Sequence, residues 1–245
     1  PNTWIFRLRT DVKFSDGSDM TSDDVVFSIL RAKQRTSDFK EYISTVSKVE
    51  ATGPYAVKII TSKPNPILLN QLSNIFIMSK AWSDKNFALS PQNWDAGQET
   101  YSATNAMGTG PFMVTLREPN TKTVMARNKH WWGEMVDDNI KEIHLLPIKN
   151  AATRVAALLS GEIDLVTDAP VQDLARIKNT NENKVQSTPQ MRTIFLGMDQ
   201  ESDKLRTGNT GDNPFKKKDV RQALYQAIDI EAIKKKVMRG LSEPA

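Results

Sequence analysis

Residues 150–179 carry the pattern that most restricts what this chain can fold into. Asn150 is a favoured helix cap before "AATRVAALLSG", in which apolar residues recur on one helical face, and Gly161 stands where a left-handed stop is favoured. The run "EIDLVT" (162–167) is then typical of a strand, and residues 170–179 are typical of a second helix. Because alternating strands and helices pack in layers, the pattern predicts an α/β domain.

Alternating apolar and polar residues predict strands through much of the rest of the chain. Single strands are predicted at 4–9, 75–80, 140–148 and 191–199, and strand pairs at 48–61 and 112–128. Further helices are predicted at 22–34, at 65–74, from near Asp219, and from near Asp229 to Gly240. The first of these has a capping-box pattern at Thr21 and Asp24. A loop rich in Gly, Asn and Asp is predicted at 207–214.

The stretch "NAMGTGPFMV" (105–114) has the glycine spacing of a phosphate-binding turn. A phosphate cradle needs successive backbone N–H donors followed by a helix, whereas Pro111 removes one donor and a strand pattern follows. The Lys-Ser/Thr pair of such turns is also missing after the glycines. The stretch is therefore interpreted as a change of chain direction and not as a nucleotide site.

Residue types that often carry catalysis or bind metals form no recognisable pattern here. His130 and His144 are the only histidines and have no third ligand nearby, and the chain has no cysteine. No Gly-x-Ser-x-Gly elbow marks a nucleophile, although a Ser-His-Asp triad assembled in space stays open. The adjacent carboxylates Asp23/Asp24 and Asp137/Asp138 are interpreted as caps and surface charge. No catalytic residue, cofactor or metal site is predicted.

The charge pattern argues against a nucleic-acid partner. The formal net charge is only +4 for 245 residues. The lysine runs at 216–218 and 234–236 lie in or beside amphipathic helix patterns and lack interleaved aromatic residues, as expected for solvated faces. The chain opens directly on a strand pattern with no signal-like segment, so we expect the natural N-terminus to be missing.

The block "WIFRLRTDVKFSDGSDMTSDDVVFSILRA" (4–32) resembles the opening block of the extracytoplasmic solute-binding proteins of family 5. These are the oligopeptide-, dipeptide- and nickel-type receptors of ABC importers. Further similar blocks follow in the family's order: "GTGPF", "ARNKHWWG", "AALLSGEIDLV" and "DVRQALYQAIDIEAIKKKVMRG". The resemblance covers nearly the whole chain, and it departs from the family pattern at Trp131, where the family commonly has tyrosine.

The resemblance implies a periplasmic-binding-protein-like α/β fold of class II, with two lobes around a cleft and an extra small domain. Family members are considerably longer, so the chain is expected to be an internal piece that lacks the N-terminal strand region and the C-terminal half of lobe two. Residues 1–107 would form most of the extra α+β domain, 108–193 part of lobe one, and 194–245 the start of lobe two. Without its partner sheet, the apolar face of residues 220–238 is expected to be exposed.

The resemblance also implies where a ligand would bind. Residues 190–199 correspond to a crossover between the lobes, which makes Arg192, Thr193 and Phe195 candidates for contact with the ligand. Tyr42 lies in a loop from which peptide-binding relatives present an aromatic residue. Gly108, Gly110 and Pro111 would mark the return into lobe one, with the glycines allowing torsions and a close approach that a β-carbon would obstruct, and the proline directing the exit into a strand.

The function implied is capture of a small peptide and its delivery to the membrane subunits of an ABC permease. Such a receptor would be a monomer without enzymatic activity, periplasmic or lipid-anchored on the outer face of the cytoplasmic membrane. A non-peptide solute stays open as the ligand: a nickel complex, haem, an opine or an oligosaccharide. An α/β hydrolase and a regulatory protein that uses the same fold are further alternatives.

Overall fold

The chain, as a computed structural model, is described for residues 1–97, 99–134, 140–188, 190, 192–205 and 211–244. It divides into two compact units, residues 1–147 and 148–245. The carboxylate pair Asp137/Asp138 and the first part of the loop predicted at 207–214 lie outside the described residues. The domain boundaries expected after residues 107 and 193 stay predictions.

The first unit begins with a three-stranded antiparallel sheet. Its strands are β1 (Thr3–Arg7), β2 (Val46–Gly53) and β3 (Ala56–Thr61), with β3 in the centre. Alternation along β3 buries every second side chain, so Val57 and Ile59 lie in the core. The strands predicted at 4–9 and 48–61 are confirmed.

Helix α1 (Ser22–Ala32) covers this sheet. Thr21 and Asp24 form the predicted capping box, in which the Asp24 carboxylate accepts the backbone N–H of Thr21 at 2.9 Å. The main apolar core lies between α1, β2 and β3. The short turn Lys40–Ile43 and the helix Leu68–Leu72 each add one buried side chain to it. The buried members of this core are Ile29, Ala32, Ile43, Val46, Val49, Val57, Ile59 and Leu68.

The strand predicted at 75–80 is wrong. This segment lies between the short helices α2 (Leu68–Leu72) and α3 (Lys80–Lys85), and side chains of α1 bind its backbone. Ser28 Oγ accepts the N–H of Met78 at 2.8 Å, and Asp24 accepts the N–H of Lys80 at 2.8 Å. These bonds satisfy the backbone without a strand neighbour, and α3 itself was not predicted.

The second sheet is an antiparallel meander of β4 (Phe112–Glu118), β5 (Lys122–Arg127) and β6 (Glu142–Leu145). The predicted hairpin at 112–128 is confirmed, with Asn120 at its tip in the left-handed region at φ 63°. The pairing between β4 and β5 shifts between Val114 and Leu116, which makes a bulge at Thr115.

The second unit is described as helices and connecting segments. They are α4 (Ala151–Leu159), α5 (Leu174–Lys178), α6 (Lys218–Ala227) and α7 (Ile230–Ala232), and α7 continues as a π-helical turn over Ile233–Val237. Asn150 caps α4 by accepting the N–H of Thr153 at 3.0 Å, and Gly161 has φ 74°. Both features confirm the prediction for this helix.

The strands predicted at 162–167 and 191–199 are wrong for the residues that the structure describes. Glu162 and Ile163 both donate their N–H groups to the carbonyl of Ala157, so the first of these segments completes the end of α4. A strand needs a neighbour to complete its ladder, and no paired strand occurs in the described part of residues 148–244. An apolar pattern alone therefore did not establish pairing.

The apolar face expected on residues 220–238 is exposed, as predicted. Tyr225 is 62% exposed and Val237 is 50% exposed, and Leu224, Ile228 and Ile233 are also accessible. No helix in the described part of the chain has the length and apolar character required to cross a membrane.

Candidate ligand-binding residues and family membership

Tyr42 projects from a short turn whose other side is anchored in the core. The turn spans Lys40–Ile43, and Ile43 is fully buried. Tyr42 is 40% exposed, and its ring centroid lies 6.3 Å from that of Phe39. Phe39 in turn meets Phe76 edge to face at 6.5 Å. These three side chains form an exposed aromatic cluster of Phe39, Tyr42 and Phe76.

Hydrogen bonds fix the backbone that carries two members of the aromatic cluster, Phe39 and Tyr42. The N–H of Tyr42 donates to the carbonyl of Phe39 at 3.1 Å, and the N–H of Phe39 donates to Ser37 Oγ at 3.2 Å. Ser37 is itself buried. A turn fixed in this way presents aromatic surface at little further cost in conformational entropy, which suits contact with apolar or aromatic groups of a ligand.

Sequence analysis identified Tyr42 but missed the other two members of the aromatic cluster. Phe39 stands three residues before Tyr42, a spacing that brings side chains together in a helical turn. Phe76 falls in the segment wrongly predicted as a strand at 75–80, and its side chain is 76% exposed. Its approach to Phe39 depends on the tertiary fold, and no local pattern in the sequence indicates it.

Arg192, Thr193 and Phe195 lie together in one exposed segment of the second unit. Phe195 is 77% exposed, and Ile194 and Leu196 beside it are also exposed. The N–H of Arg192 donates to the carbonyl of Gln190 at 3.0 Å, and none of the described carboxylates forms an ion pair with its guanidinium. The segment therefore offers a cation and apolar surface side by side.

The steric reason expected for Gly108 and Gly110 is wrong. A β-carbon built on Gly108 meets no atom within 4 Å, and one on Gly110 meets only the Phe112 carbonyl at an ordinary 3.8 Å. Neither glycine has a left-handed φ. Their carbonyls hold the segment instead, because that of Gly108 accepts the N–H of Ser15 and that of Gly110 accepts the side-chain amide of Asn128.

The position of Pro111 agrees with its predicted place at the exit into a strand. Strand β4 begins at the next residue, and the Pro111 carbonyl accepts the N–H of Asn128 at 2.8 Å. Asn128 is buried and also accepts the N–H of His130 at 3.0 Å. That Gly108, Gly110 and Pro111 form the crossover by which the chain returns into lobe one stays a prediction.

His130 and Trp132 pack against the N-terminal segment, and the ring of Trp131 lies against that of Trp132. The His130 ring lies close to Gly17, which has φ 91°, and the Trp132 ring lies under the Arg9 guanidinium at 4.7 Å. Hydrogen bonds from Ser18 lower the pKa of the neighbouring Asp16 carboxyl, and the charge of His130 contributes a smaller lowering. These contacts assign His130 and Trp132 to packing between distant segments.

Arg31, in the last turn of α1, is a partly buried cation. Its guanidinium donates to the carbonyls of Ala88 and Ser90 at 3.1 Å and to Ser102 Oγ at 3.3 Å. Burial lowers the pKa of the guanidinium. The side chain thus ties α1 to two loops. Among the described residues, no group of three or more His, Asp or Glu is arranged to hold a metal ion.

Comparison with known protein families establishes the family of this chain. The family of bacterial extracellular solute-binding proteins, family 5 Middle, matches residues 1–245. The chain belongs to this family. Members of family 5 are binding proteins, which agrees with the resemblance carried by the sequence blocks.

Two curated relatives illustrate the range of the family. The probable D,D-dipeptide-binding periplasmic protein DdpA of Escherichia coli is 25% identical over 97% of this chain and 43% of its own length. The nickel-binding protein NikA of Staphylococcus aureus is 26% identical over 99% of this chain and 44% of its own length. The chain therefore spans less than half the length of these relatives.

Solved structures show the fold. The oligopeptide-binding protein AppA of Bacillus subtilis, solved with a nonapeptide, matches all of this chain and 45% of its own with a TM-score of 0.81 at 22% identity. At this identity the likeness shows the fold alone. The chain has the α/β fold of family 5 periplasmic binding proteins, as predicted.

Proposed function

We propose that the protein carrying this chain is the extracytoplasmic receptor of an ABC importer and captures a short peptide between two lobes. The observation that carries the proposal is the family 5 match over residues 1–245. The relation to the D,D-dipeptide-binding protein DdpA supports a peptide as the ligand. The receptor works outside the cytoplasmic membrane, free in the periplasm or lipid-anchored, and passes the peptide to the permease.

The candidate residues suit the chemistry of a peptide. The exposed rings of Tyr42, Phe39 and Phe76 provide apolar surface for peptide side chains. The Arg192 guanidinium, with no carboxylate partner among the described residues, can form paired hydrogen bonds to the C-terminal carboxylate of a peptide. Phe195 adds apolar surface beside that charge.

Binding without catalysis is sufficient for this function. A bound peptide favours the closed arrangement of the lobes only through contacts that both lobes make when they are shut. The permease then distinguishes the closed, loaded receptor from the open one. The residues of the chain are asked only to bind and orient the solute, and no bond in the peptide is broken.

Calorimetry on the protein that carries this chain tests the proposal. A peptide library with free C-termini is titrated, and each binding peptide is repeated with an amidated C-terminus. The free carboxylate should bind at least about tenfold more tightly, because charge-assisted hydrogen bonds are worth more than neutral ones. In Arg192→Gln that preference should disappear, while Arg176→Gln, an exposed arginine in the same unit, should retain it.

Two results would contradict different parts of this proposal. Absence of heat with every peptide would rule out the peptide as solute. Binding that weakens equally for free and amidated peptides in Arg192→Gln would leave the peptide function intact and remove Arg192 from carboxylate recognition.

Tyr42→Ala should weaken the binding of peptides that carry large apolar side chains and leave the binding of glycine-rich peptides unchanged.

A nickel complex is the second candidate solute. The observation in its favour is the 26% identity with the nickel-binding protein NikA over 99% of the chain. With only two histidines and no cysteine, this part of the protein would recognise the organic ligand around the ion instead of supplying most of its donors. Titration with a nickel–histidine complex decides between the two, since a peptide receptor gives no heat with it.

A further inference from the structure

A cleft of about 390 Å³ is lined only by residues of the first unit and by none of the candidate ligand-binding residues. Residues of helix α3, of the short turn Tyr101–Ala103 with the segment after it, and of strand β4 line it. Its volume falls within the range of small-ligand pockets, roughly 300–1,000 Å³. It is lined by Trp82, Tyr101, Thr104, Asn105, Ala106, Val114, Thr115, Leu116 and Arg117.

The bulge in β4 turns consecutive residues toward this cleft. In a regular strand, neighbouring side chains point to opposite faces, whereas one inserted residue places two consecutive side chains on the same face. The register shift between Val114 and Leu116 breaks that alternation. Thr115 Oγ1 donates to the carbonyl of Val124 at 3.2 Å, which fixes the bulged residue. Bulges commonly re-aim side chains next to binding sites.

Two aromatic rings contribute apolar surface to the cleft. Trp82 and Tyr101 approach to 5.6 Å between ring centroids at an interplanar angle of 50°. Leu116 remains partly exposed across the cleft. Aromatic and aliphatic surfaces of this size accept a planar ring through edge or face contacts.

Among the described residues that line the cleft, Arg117 is the one that carries a charge. Its Nε donates to the carbonyl of Ala103 at 3.0 Å and its Nη1 donates to Thr123 Oγ1 at 3.3 Å. Nη2 has no partner among the described residues, and no described carboxylate forms an ion pair with this guanidinium. The side chain is thus held in place with donors left over, the arrangement that suits an anionic oxygen.

We propose that this cleft binds a small planar carboxylate, with its ring against Trp82 and Tyr101 and its carboxylate on Arg117. Because every lining residue belongs to residues 1–147, binding does not depend on the peptide function proposed above. A bound peptide between the lobes and a carboxylate in this cleft occupy different sites. Benzoate is the probe, and benzamide is its neutral counterpart of similar shape.

Saturation-transfer NMR on the protein that carries this chain measures both probes. Benzoate should give saturable transfer at about 10 mM or below, a concentration suited to a ligand of this size. Arg117→Gln should weaken benzoate by at least about tenfold and leave benzamide unchanged. The matched control is Lys122→Gln, which removes an exposed cation from the same hairpin outside the cleft and should leave benzoate within about twofold.

The remaining outcomes are also decisive. Arg117→Lys keeps the positive charge but lacks the planar guanidinium that can donate two parallel hydrogen bonds, so it should bind benzoate with intermediate affinity. This variant replaces Arg117→Gln as the test if Arg117→Gln does not fold. Benzoate transfer that is absent, unaffected by both Arg117 variants, or abolished by a saturating peptide would overturn the proposal. Equal weakening of benzoate and benzamide would show that the variant disturbs the cleft as a whole and would also overturn it.

Discussion

At the scale of single residues, Phe87 combines an unfavourable backbone with an almost fully exposed side chain. It follows α3 with φ 53°, in the left-handed region that glycine prefers, and it is 94% exposed. Its N–H donates to the carbonyl of Asp84, and the next N–H, from the buried Ala88, donates to the carbonyl of Ser83. This pair of bonds is the Schellman pattern, in which glycine is the usual residue at this position.

Phe87→Gly should therefore stabilise the protein. Removing the β-carbon relieves a conformational cost of roughly 1–2 kcal/mol, and the greater freedom of glycine in the unfolded chain offsets part of it. We expect a net gain of about 0.5–1 kcal/mol in the free energy of unfolding, measured by urea denaturation. Phe87→Ala keeps the β-carbon and should change little. A loss of stability in the glycine variant would mean that the Phe87 ring packs against another part of the protein.

At the scale of secondary-structure elements, α4 depends on its first hydrogen bonds. Asn150 Oδ1 accepts the N–H of Thr153 at 3.0 Å and its hydroxyl at 3.2 Å, which satisfies a helix terminus that otherwise has free donors. Asn150→Ala should lower the free energy of unfolding by about 1 kcal/mol. Asn150→Asp should retain most of the stabilisation that the cap provides. The measurement is again urea denaturation.

Asn179 provides the matched control for this cap. It follows the C-terminal end of α5. There its backbone N–H, and not its side chain, donates a hydrogen bond to the last turn of the helix. Asn179→Ala should change stability by less than about 0.5 kcal/mol, as expected for an exposed position without a cap. Equal losses of stability in Asn150→Ala and Asn179→Ala would show that the side-chain cap of Asn150 does not stabilise the protein.

At the scale of the whole molecule, the apolar face of α6 and α7 is the feature that most affects solution behaviour. Tyr225 and Val237 are exposed on it, together with Leu224, Ile228 and Ile233. Exposed apolar patches of this kind bind hydrophobic dyes and promote association. The purified 245-residue chain should therefore bind such a dye and tend to self-associate.

Substitutions on this face provide the measurement. Tyr225→Lys combined with Val237→Lys should reduce dye fluorescence and the apparent mass in light scattering, because both changes place charge on the apolar surface. Gln226→Lys adds one positive charge at an exposed polar neighbour; it should leave both signals unchanged, whereas Tyr225→Lys alone, which adds the same charge on the apolar surface, should reduce both. A wild-type chain that is monomeric and gives no dye signal would contradict the prediction.

The candidate site shows how far the sequence leads. Tyr42, Arg192, Thr193 and Phe195 were identified through the family blocks, and the structure finds all four side chains exposed. Their contact with a solute stays a prediction. Phe76 could not be found in this way, because its approach to Phe39 joins residues that are far apart in the chain.

Local signals in the sequence determined the features that depend on near neighbours. The caps at Thr21 and Asn150, the hairpin around Asn120 and the stop at Gly161 all follow from bonds or torsions within a few residues. The ordered sequence blocks were likewise sufficient to indicate the family.

Only the tertiary structure decided which apolar segments pair and which surfaces meet. Residues 75–80 look like a strand, yet Ser28 and Asp24 of α1 bind their backbone. The shift at Thr115 is equally invisible in the sequence, and it interrupts the alternation of β4 where this strand lines the cleft around Arg117. Apolar periodicity reports that a segment is buried on one side, whereas the partner that buries it is set by contacts between residues distant along the chain.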